Sequence, residues 1–475
     1  MDTITITFPE VKLNTKVKDL TFDNLEDLIF EISQNIARKV FEKAITDIDD
    51  YLRHKRERGK LKNTGKREKY FLTRFGDILY ARTRYKDKKG KTRYLLDEAL
   101  SISKNQRISL IRAKIECFLS SLSSYREVVI QARLLLGNFR SHESIRKQVI
   151  KEAKLIIEKQ KRRLQKIINL EYKEGNPPDT AYIEADATFI SLQKKGKERG
   201  GKLEVKLGVG YTGKETRYKS GKSKILKEKF TLVGMGKDFM KNLSLQAESR
   251  LSLSKAKKIL FGGDGDSWII SGVGDYFPSA TYLLCFYHLF KRLREGLGRR
   301  KEEQKGIKGL LLSNQIDKAL SKIDQMIRNP YDQKEKDNLT KFYTYISRNR
   351  QGIANQVILK DQEIQRTGAI ESNINKVIAS RFKKRGMSWS AKGALSLLKI
   401  KETILNGEWD DWWKKERERN IKVGKYKPPL PAAYFNKKTE SSPLIEVTIP
   451  ALSGPDQDKP WVGVLRELSR VGYFN

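Results

Sequence analysis

The segment "TAYIEADATFISLQ" (180–193) constrains the fold most, because its residues alternate as those of a buried β-strand do. One face of this strand would carry Ile183, Ala185, Ala187 and Phe189, and the other Glu184, Asp186 and Thr188. Asp186 then lies in the middle of the strand. A carboxylate on a central strand is costly unless it is paired or bound to a metal. The alternative is a strand with one solvated face.

The segments after this strand predict an α/β domain. They read in turn as two strands, a helix, a strand ending in a glycine-rich turn, and a strand that becomes a helix: "GKLEVKLGVGYTG", "KEKFTLVGMG", "KDFMKNLSLQAESRL", "AKKILFGGDGDSWI" and "ATYLLCFYHLFKRLREGLG". Three strands, a helix, a strand, a helix and another strand is the order of a ribonuclease-H-like fold. We predict this domain over 176–298 and 361–410, interrupted by an all-helical, basic insertion over 299–360.

The N-terminal part of the chain has other periods. Apolar residues at three- and four-residue steps predict an amphipathic helix over 23–52. The basic segment after it, up to residue 69, is either a solvated linker or a phosphate-binding strip. Residues 70–104 favour a small antiparallel β unit. The predicted fold class is therefore multidomain α+β / α/β, with helical and small β domains ahead of the mixed sheet.

Two further regions complete the chain. Residues 105–175 predict helices around a turn at Gly137, in the outline of a helix-turn-helix DNA-binding region. That outline occurs in any helical bundle, so a purely structural role is the alternative. Arg146 and Lys147, on its basic helix, are candidate DNA contacts. Residues 411–475 are rich in proline and predict an extended tail.

The net charge of +39, from 97 basic and 58 acidic residues, indicates a polyanionic partner. Double-stranded DNA is the expected partner, because neutralised phosphates release counterions. A membrane surface is the rival, but no apolar run has the length of a transmembrane helix and no signal-peptide pattern begins the sequence. Two cysteines exclude a disulfide framework and favour a cytoplasmic protein, nucleoid-associated when bound to DNA; without a CxxC pair, a zinc finger is not expected.

Two further acidic positions could act with Asp186. Asp264 lies in "FGGDGDSW", where an apolar strand ends in a glycine-rich turn, and strand ends are where α/β folds place their sites. Asp266 would point the same way if the strand continued, so it stays an alternative to Asp264. Glu371 lies in "IESNINKV" beside the apolar stripe of a helix, with Asn375 one turn on. Taken alone, a helical glutamate of this kind is more often an ordinary surface residue.

Asp186, Asp264 and Glu371 together could hold two Mg²⁺ (or Mn²⁺) ions, since carboxylate oxygens are the ligands these cations prefer. Two such ions a few ångströms apart suit an in-line displacement at phosphorus. The site itself would be negative, so DNA would have to be held by the positive surface around it.

The chain resembles the ISLre-type insertion-sequence transposases, a branch of the Mutator-like DDE group. The resemblance rests on segments that run in order over almost the whole sequence: "YLLDEAL", "SSYREVV", "IEADATFISLQ", "GGDGDSWI", "CFYHLFKRLRE", "IESNINKVIASRFKKRGMSWS" and "GPDQDKPWVGVLREL". It implies a ribonuclease-H-like catalytic domain whose Asp-Asp-Glu triad corresponds to Asp186, Asp264 and Glu371. It also implies a helical insertion before the final glutamate.

Further candidates follow from the same segments. Cys285 and His288 resemble the Cys/Asp-x-x-His signature of these transposases; they would line the active site or position DNA phosphate, or be a packed cysteine and a hydrogen-bonded histidine, and a metal at this pair is not expected. The basic segment after Glu371 could grip DNA through Arg381, Lys383, Lys384 and Arg385, with Trp389 stacking on a base. A buried tryptophan is the alternative.

The expected function is a two-metal-ion DNA transposase. It would cleave a phosphodiester at the element end and transfer the 3′-hydroxyl into target DNA, acting as a homodimer or higher oligomer. The alternatives are a ribonuclease-H-like nuclease without strand transfer and a non-catalytic, domesticated DNA-binding relative.

Overall fold

The computed structural model describes residues 21–137, 140–172, 176–193, 200–216, 224–359, 367–383 and 386–415. Lys384, Arg385 and most of the predicted tail lie outside these residues. Within them the prediction of a mixed α+β chain with several helices and a mixed sheet is confirmed. None of the helices in these ranges is long and apolar enough to cross a membrane.

The N-terminal helix packs against a three-stranded antiparallel sheet. Its elements are α1 (Phe22–Lys55), β1 (Leu61–Thr73), β2 (Gly76–Asp87), β3 (Thr92–Arg93) and α2 (Leu95–Ala99). The basic segment after α1 is not a free linker, because β1 begins at Leu61 and pairs with β2 from there. The apolar side of this unit buries Leu52, Ile78 and Tyr85.

Three helices follow: α3 (Leu110–Leu122), α4 (Tyr125–Leu136) and α5 (His142–Ile168). The side chain of Ser124 caps α4 in a capping box with Glu127. Gly137 ends α4 with a φ of 69°, a conformation that glycine adopts without strain. Ser141 caps α5, as its position in the sequence predicts.

A five-stranded mixed sheet forms the centre of the rest of the chain. In chain order the strands are β4 (Thr180–Ser191) and β5 (Lys202–Tyr211), a separate hairpin of β6 (Gly213–Thr216) and β7 (Lys224–Lys227), then β8 (Phe230–Gly234), β9 (Lys258–Gly263) and β10 (Ala280–Leu284). The order across the sheet is β10-β9-β4-β5-β8. The pairs β4–β5 and β5–β8 are antiparallel, whereas β4–β9 and β9–β10 are parallel. β4 is therefore the central strand.

Both faces of β4 are covered along most of its length, and Phe189 near its end is exposed. Ala181, Ile183 and Ala185 pack with α6 (Phe239–Leu251) and α7 (Ser267–Tyr276) on one side. Tyr182 and Ile190 belong to the cluster on the other side, which α5 and the C-terminal helices complete. The alternative of a strand with one solvated face is therefore wrong: Glu184, Asp186 and Thr188 are all buried.

The segment predicted as a helical insertion, 299–360, forms α9 (Lys301–Leu312), α10 (Ile316–Arg328) and α11 (Gln333–Ile358). These helices share a core around Leu293, Ile323 and Phe342 with the preceding α8 (Phe286–Leu297), which lies before the predicted boundary. The chain then forms α12 (Ala369–Asn373), a π-helical segment (Ile374–Ala379), α13 (Ser380–Phe382) and α14 (Ala391–Leu405).

The outer edge of β8 is closed by α14 side chains. The amide of Asn406, just after α14, donates to the carbonyl of Thr231 and accepts from its N–H, and Glu402 accepts from the N–H of Val233 at 2.7 Å. These contacts satisfy backbone groups that an open edge would leave unpaired.

Candidate metal centre

Two neighbouring strands place Asp186 and Asp264 side by side. Glu184 of β4 pairs with Gly262 of β9 in parallel register, and each aspartate lies two residues beyond that pair. Adjacent strands are about 4.8 Å apart, and residues two apart point to the same face. The sheet therefore directs both carboxylates to one edge of the β4–β9 pair.

Glu371, the third residue of α12, completes the group. One carboxylate oxygen each from Asp186 and Glu371 and a ring nitrogen of His288 lie within 4.8 Å of one another. Asp264 is not part of this tight group, but the β4–β9 register places it next to Asp186. Of the neighbouring charges, that of Asp264 raises the pKa of the Asp186 carboxyl most. The structure thus gathers all three predicted acids, and adds a histidine.

Burial and mutual repulsion shape the electrostatics of this site. Burial and the charge of Asp264 raise the pKa of the Asp186 carboxyl, only 6% exposed, to about 7. Burial, with the charge of Asp266 adding to it, raises the pKa of Asp264 to about 6. Within the described ranges no lysine or arginine forms an ion pair with either aspartate. Such a group of acids can be ionised together only at a cost, which a bound cation would remove.

The turn after β9 distinguishes Asp264 from Asp266. Gly265 has a φ of 90°, and a Cβ there would come within 3 Å of both Asn349 and Tyr345. This turn carries Asp266 to an exposed position at the start of α7, where its N–H donates to Asp264 Oδ1 at 2.9 Å. The geometry favours Asp264 as the acid beside Asp186, and the turn explains why periodicity could not separate the two.

His288 contacts Glu371 directly, with His288 Nε2 3.0 Å from Glu371 Oε1. Its Nδ1 is buried and has no hydrogen-bond partner among the described residues. Burial lowers the pKa of His288, which favours the neutral imidazole. A neutral ring can either donate to Glu371 or present nitrogen to a cation.

Cys285 does not join the group. It caps the start of α8, its N–H donates to Gly263 O at 2.8 Å, and burial raises the pKa of its thiol. The packed alternative therefore describes Cys285, whereas His288 belongs to the site.

The helix that carries Glu371 changes its winding directly afterwards. Residues Ile374–Ala379 form a π-helical segment, a rare structure that is frequently found at functional sites. Asn375 lies exposed on this segment. The wider turn alters the four-residue spacing on which its predicted alignment with Glu371 depends.

Glu184 is a buried acid beside the site that the sequence did not single out. It is 1% exposed, yet no lysine or arginine pairs with it in the described part of the chain. Its carboxylate accepts the N–H groups of Gly368, Ala369 and Ile370 at 2.9, 3.1 and 3.0 Å. Its only signal in the sequence is its position two residues before Asp186, on the same face.

The sequence matches the profile of a known protein family. The profile of the Uncharacterised protein family (UPF0236) matches residues 16–419. The chain belongs to this family.

The relatives are similar over most of their length. A UPF0236 protein of Caldanaerobacter subterraneus subsp. tengcongensis is 26% identical over 419 residues, which cover 86% of this chain and 84% of the relative. Another from that genome, 26% identical over 408 residues, or 84% of this chain and 81% of the relative, bears a name that joins eleven locus designations. The UPF0236 protein in the vanSb 3′ region of Streptococcus gallolyticus is 23% identical over 344 residues, which cover 72% of this chain and 73% of the relative.

The predicted DNA contacts of this UPF0236 chain fall into two groups. The side chain of Arg381 is buried, donates to Ser123 O at 2.8 Å and lies over the ring of Trp389, which is 8% exposed. Because both side chains are buried and pack within the protein, the prediction that they contact DNA is wrong, and the alternative of a buried tryptophan describes Trp389. Lys383 and Lys147 are exposed, and Arg146 forms an ion pair with Glu143.

A basic cleft of about 640 Å³ opens beside the acids of this UPF0236 chain, lined by α8 and α11. Asp266 lies at its rim, and Arg292, Lys341 and Arg348 contribute its cations. Glu295, which pairs with Arg292, also lines it. The periodicity of the helices could not reveal this cleft, because it depends on how α8 and α11 pack.

Proposed function

We propose that this chain is a DNA transposase that cleaves a phosphodiester at a transposon end and transfers the resulting 3′-hydroxyl into target DNA. The observation that carries the proposal is the convergence of Asp186, Asp264 and Glu371 at one edge of the β4–β9 pair, without a basic partner for either aspartate within the described ranges. One buried and two half-buried acids in such an arrangement suit a site for divalent cations.

The sheet supports this proposal. Numbered along the chain within the sheet, its strands lie in the order 5-4-1-2-3, the first three antiparallel and the last two parallel to the first. This strand order supports the proposed ribonuclease-H-like fold, in which Asp186 lies on the first strand, Asp264 directly after the fourth and Glu371 on a late helix. Because one fold serves many functions, the acids and not the sheet carry the argument.

Charge and family add independent support. The net charge of +39 suits a DNA partner, and the basic cleft offers cations to a strand that enters the acidic site. The name of one relative joins eleven loci of one genome. A DNA segment that copies or moves itself would produce such multiple loci.

The donor set fits Mg²⁺ or Mn²⁺, since Asp186 and Glu371, with Asp264 on the neighbouring strand, supply hard oxygen ligands. His288 adds a nitrogen that Mn²⁺ accepts more readily. When bound, two such cations would activate the attacking oxygen and stabilise the leaving oxygen. Asp186, Asp264 and Glu371 would hold them. His288 would orient the Glu371 carboxylate, and the covered faces of the sheet would exclude bulk water from the aspartates.

The test is a cleavage assay on DNA that contains this coding sequence with its natural flanks. Wild-type protein should cleave at the ends of the element in the presence of Mn²⁺. Asp186→Asn, Asp264→Asn and Glu371→Gln should each lower the rate by at least about 10³-fold, because several kcal/mol of charge stabilisation are lost. Binding to the same DNA, measured by gel shift, should persist. Undiminished cleavage by any of the three variants would refute its assignment.

A pre-cut end separates transposition from its alternatives. Joining of a 3′-hydroxyl end to a second DNA molecule is expected of a transposase. Cleavage without joining would instead indicate a nuclease, and binding without cleavage by wild-type protein a non-catalytic relative.

A further inference from the structure

We infer that Glu184 is a positioning residue of the metal centre: it fixes Glu371 relative to Asp186 by capping α12 from the neighbouring strand. This inference rests on the proposed metal centre and names a residue through which that centre is built.

The start of α12 has no cap of its own. Gly368 precedes the helix, with a φ of 121°, and has no side chain to accept a hydrogen bond. The first N–H groups of a helix lack partners within it and must be satisfied from elsewhere. Glu184 does this from β4, 186 residues away from Ile370 along the chain.

The carboxylate of Glu184 is engaged through both oxygens. Oε2 accepts from Gly368 and Ile370, and Oε1 accepts from Ala369 and from the hydroxyl of Tyr211, the latter at 2.6 Å. An anion at a helix N-terminus also interacts favourably with the helix dipole. Three bonds from one buried carboxylate to the start of α12, with a fourth to Tyr211 of β5, leave α12 little freedom to move relative to β4.

Through the geometry of β4, the bonds of Glu184 to α12 also fix the distance between Asp186 and Glu371. Glu184 and Asp186 lie two residues apart on one face of β4, about 7 Å along a rigid strand. Glu371 directly follows the clamped residue Ile370 in α12. The Asp186–Glu371 separation is thus set by a short, rigid path through Glu184, and metal affinity depends steeply on such a separation.

The first glycine of "FGGDGD" fits the same account. A Cβ at Gly262 would lie 3.2 Å from both Glu184 Cγ and Thr367 Cβ. Glycine at this position leaves room for Glu184 and for the segment that leads into α12.

The experiment is Mn²⁺ binding to the full-length protein without DNA, followed by loss of the free Mn²⁺ electron paramagnetic resonance signal. Glu184→Gln keeps the shape of the side chain but replaces one acceptor oxygen by a donor. We expect it to weaken Mn²⁺ binding about 10- to 100-fold. Tyr211→Phe removes one bond only and keeps the three at the start of α12, so it should weaken Mn²⁺ binding by a smaller factor, about two- to tenfold.

A double-mutant comparison excludes a merely structural role. If Glu184 acts through Glu371, adding Glu184→Gln to Glu371→Gln should change Mn²⁺ binding less than twofold. Glu402→Gln is the matched control, because Glu402 is also a buried carboxylate that accepts a backbone N–H and lies on another helix. It should lower the stability of the protein and leave Mn²⁺ binding within about twofold of wild type.

The outcomes separate the two proposals. Wild-type affinity for Mn²⁺ in Glu184→Gln, or a full multiplicative effect in the double mutant, would overturn the role of Glu184 while cleavage by the wild type still stood. If Glu184→Gln fails to fold, Tyr211→Phe takes its place. Wild-type Mn²⁺ affinity and unchanged DNA cleavage in Tyr211→Phe would then count against the proposed role of Glu184. Mn²⁺ binding without any DNA cleavage would instead overturn the proposed function alone.

Discussion

Two regions of this molecule, the part before the central sheet and the sheet itself, treat their interior acids in opposite ways. Near the N-terminus Asp97 pairs with Lys69 and Arg82. In the helices that follow, Glu116 is fully buried between Arg112 and Arg140, with nitrogen–oxygen distances of 2.9 and 2.8 Å. In the central sheet Asp186 and Asp264 have raised pKa values and no such partner among the described residues.

The contrast matters because this chain has a large excess of lysine and arginine. Cations are therefore plentiful, yet the structure brings them to the acids of the first region and not to the aspartates of the sheet. A structural acid needs its charge balanced within the protein. Acids left unbalanced are where a functional role is to be sought.

The largest effect is predicted for the region in which the buried acids are paired with arginine or lysine. Arg112→Met leaves Glu116 buried with one partner fewer, and we expect the free energy of unfolding to fall by about 3–5 kcal/mol. Urea denaturation followed by circular dichroism measures it. Adding Glu116→Gln should recover part of the loss. A change below about 1 kcal/mol in the single variant would show that this pair does not balance the buried charge.

The same kind of substitution should act with the opposite sign in the sheet. Asp186→Asn removes an ionised carboxylate that the metal-free fold tolerates poorly, so with EDTA at pH 8 we expect a gain of about 1–3 kcal/mol in the free energy of unfolding. Asp97→Asn is the matched control and should be destabilising, because Lys69 and Arg82 lose their partner. Equal signs for the two substitutions would remove the contrast between the regions.

A pH series sharpens the contrast. The folded pKa values of about 7 for Asp186 and about 6 for Asp264 exceed the usual aspartate value of 3.8, so the folded protein binds more protons than the unfolded chain in this range. The contribution of these two groups to metal-free stability therefore becomes more favourable as the pH falls from 8 to 6. This pH dependence of the free energy of unfolding should be absent from the double variant Asp186→Asn/Asp264→Asn. Urea denaturation of the variant and of wild type at each pH measures it. Mn²⁺ binding should weaken in the same window, since protons and cations compete. A pH dependence that persists in the double variant would assign it to other groups.

The smallest effect concerns the basic cleft. Lys341→Gln and Arg348→Gln should each lower the slope of log K for DNA binding against log salt by about 0.9 if each side chain contacts one phosphate. Fluorescence anisotropy at several salt concentrations measures it. Lys322→Gln, on the exposed side of α10, is the control and should leave the slope unchanged. Equal slopes for all three variants would show that the side chains of the cleft do not contact DNA phosphates.

The sequence predicted part of this site and not the rest, for physical reasons. Alternation along β4 was sufficient to find Asp186, because a strand of period two separates its faces. Glu371 became a candidate only together with the other two acids and the family resemblance, since helical spacing alone does not distinguish it from a surface glutamate. Glu184 and the contact of His288 with Glu371 depend on packing between distant segments, which no local pattern encodes.

Local charge was also a poor guide to exposure. Arg381 lies in a dense basic segment that favoured DNA contact, yet its guanidinium packs on Trp389 inside the protein. A long arginine side chain can cover apolar surface and satisfy a buried carbonyl at once. The order of strands and helices was more predictable, because it follows from hydrophobic periodicity summed over long segments.

Anomalous diffraction from crystals grown with Mn²⁺ tests the central claim most directly. We expect two peaks about 4 Å apart, each within about 2.3 Å of carboxylate oxygens from Asp186, Asp264 or Glu371. An absence of peaks at millimolar Mn²⁺, or a lysine or arginine side chain found between Asp186 and Asp264, would contradict the account.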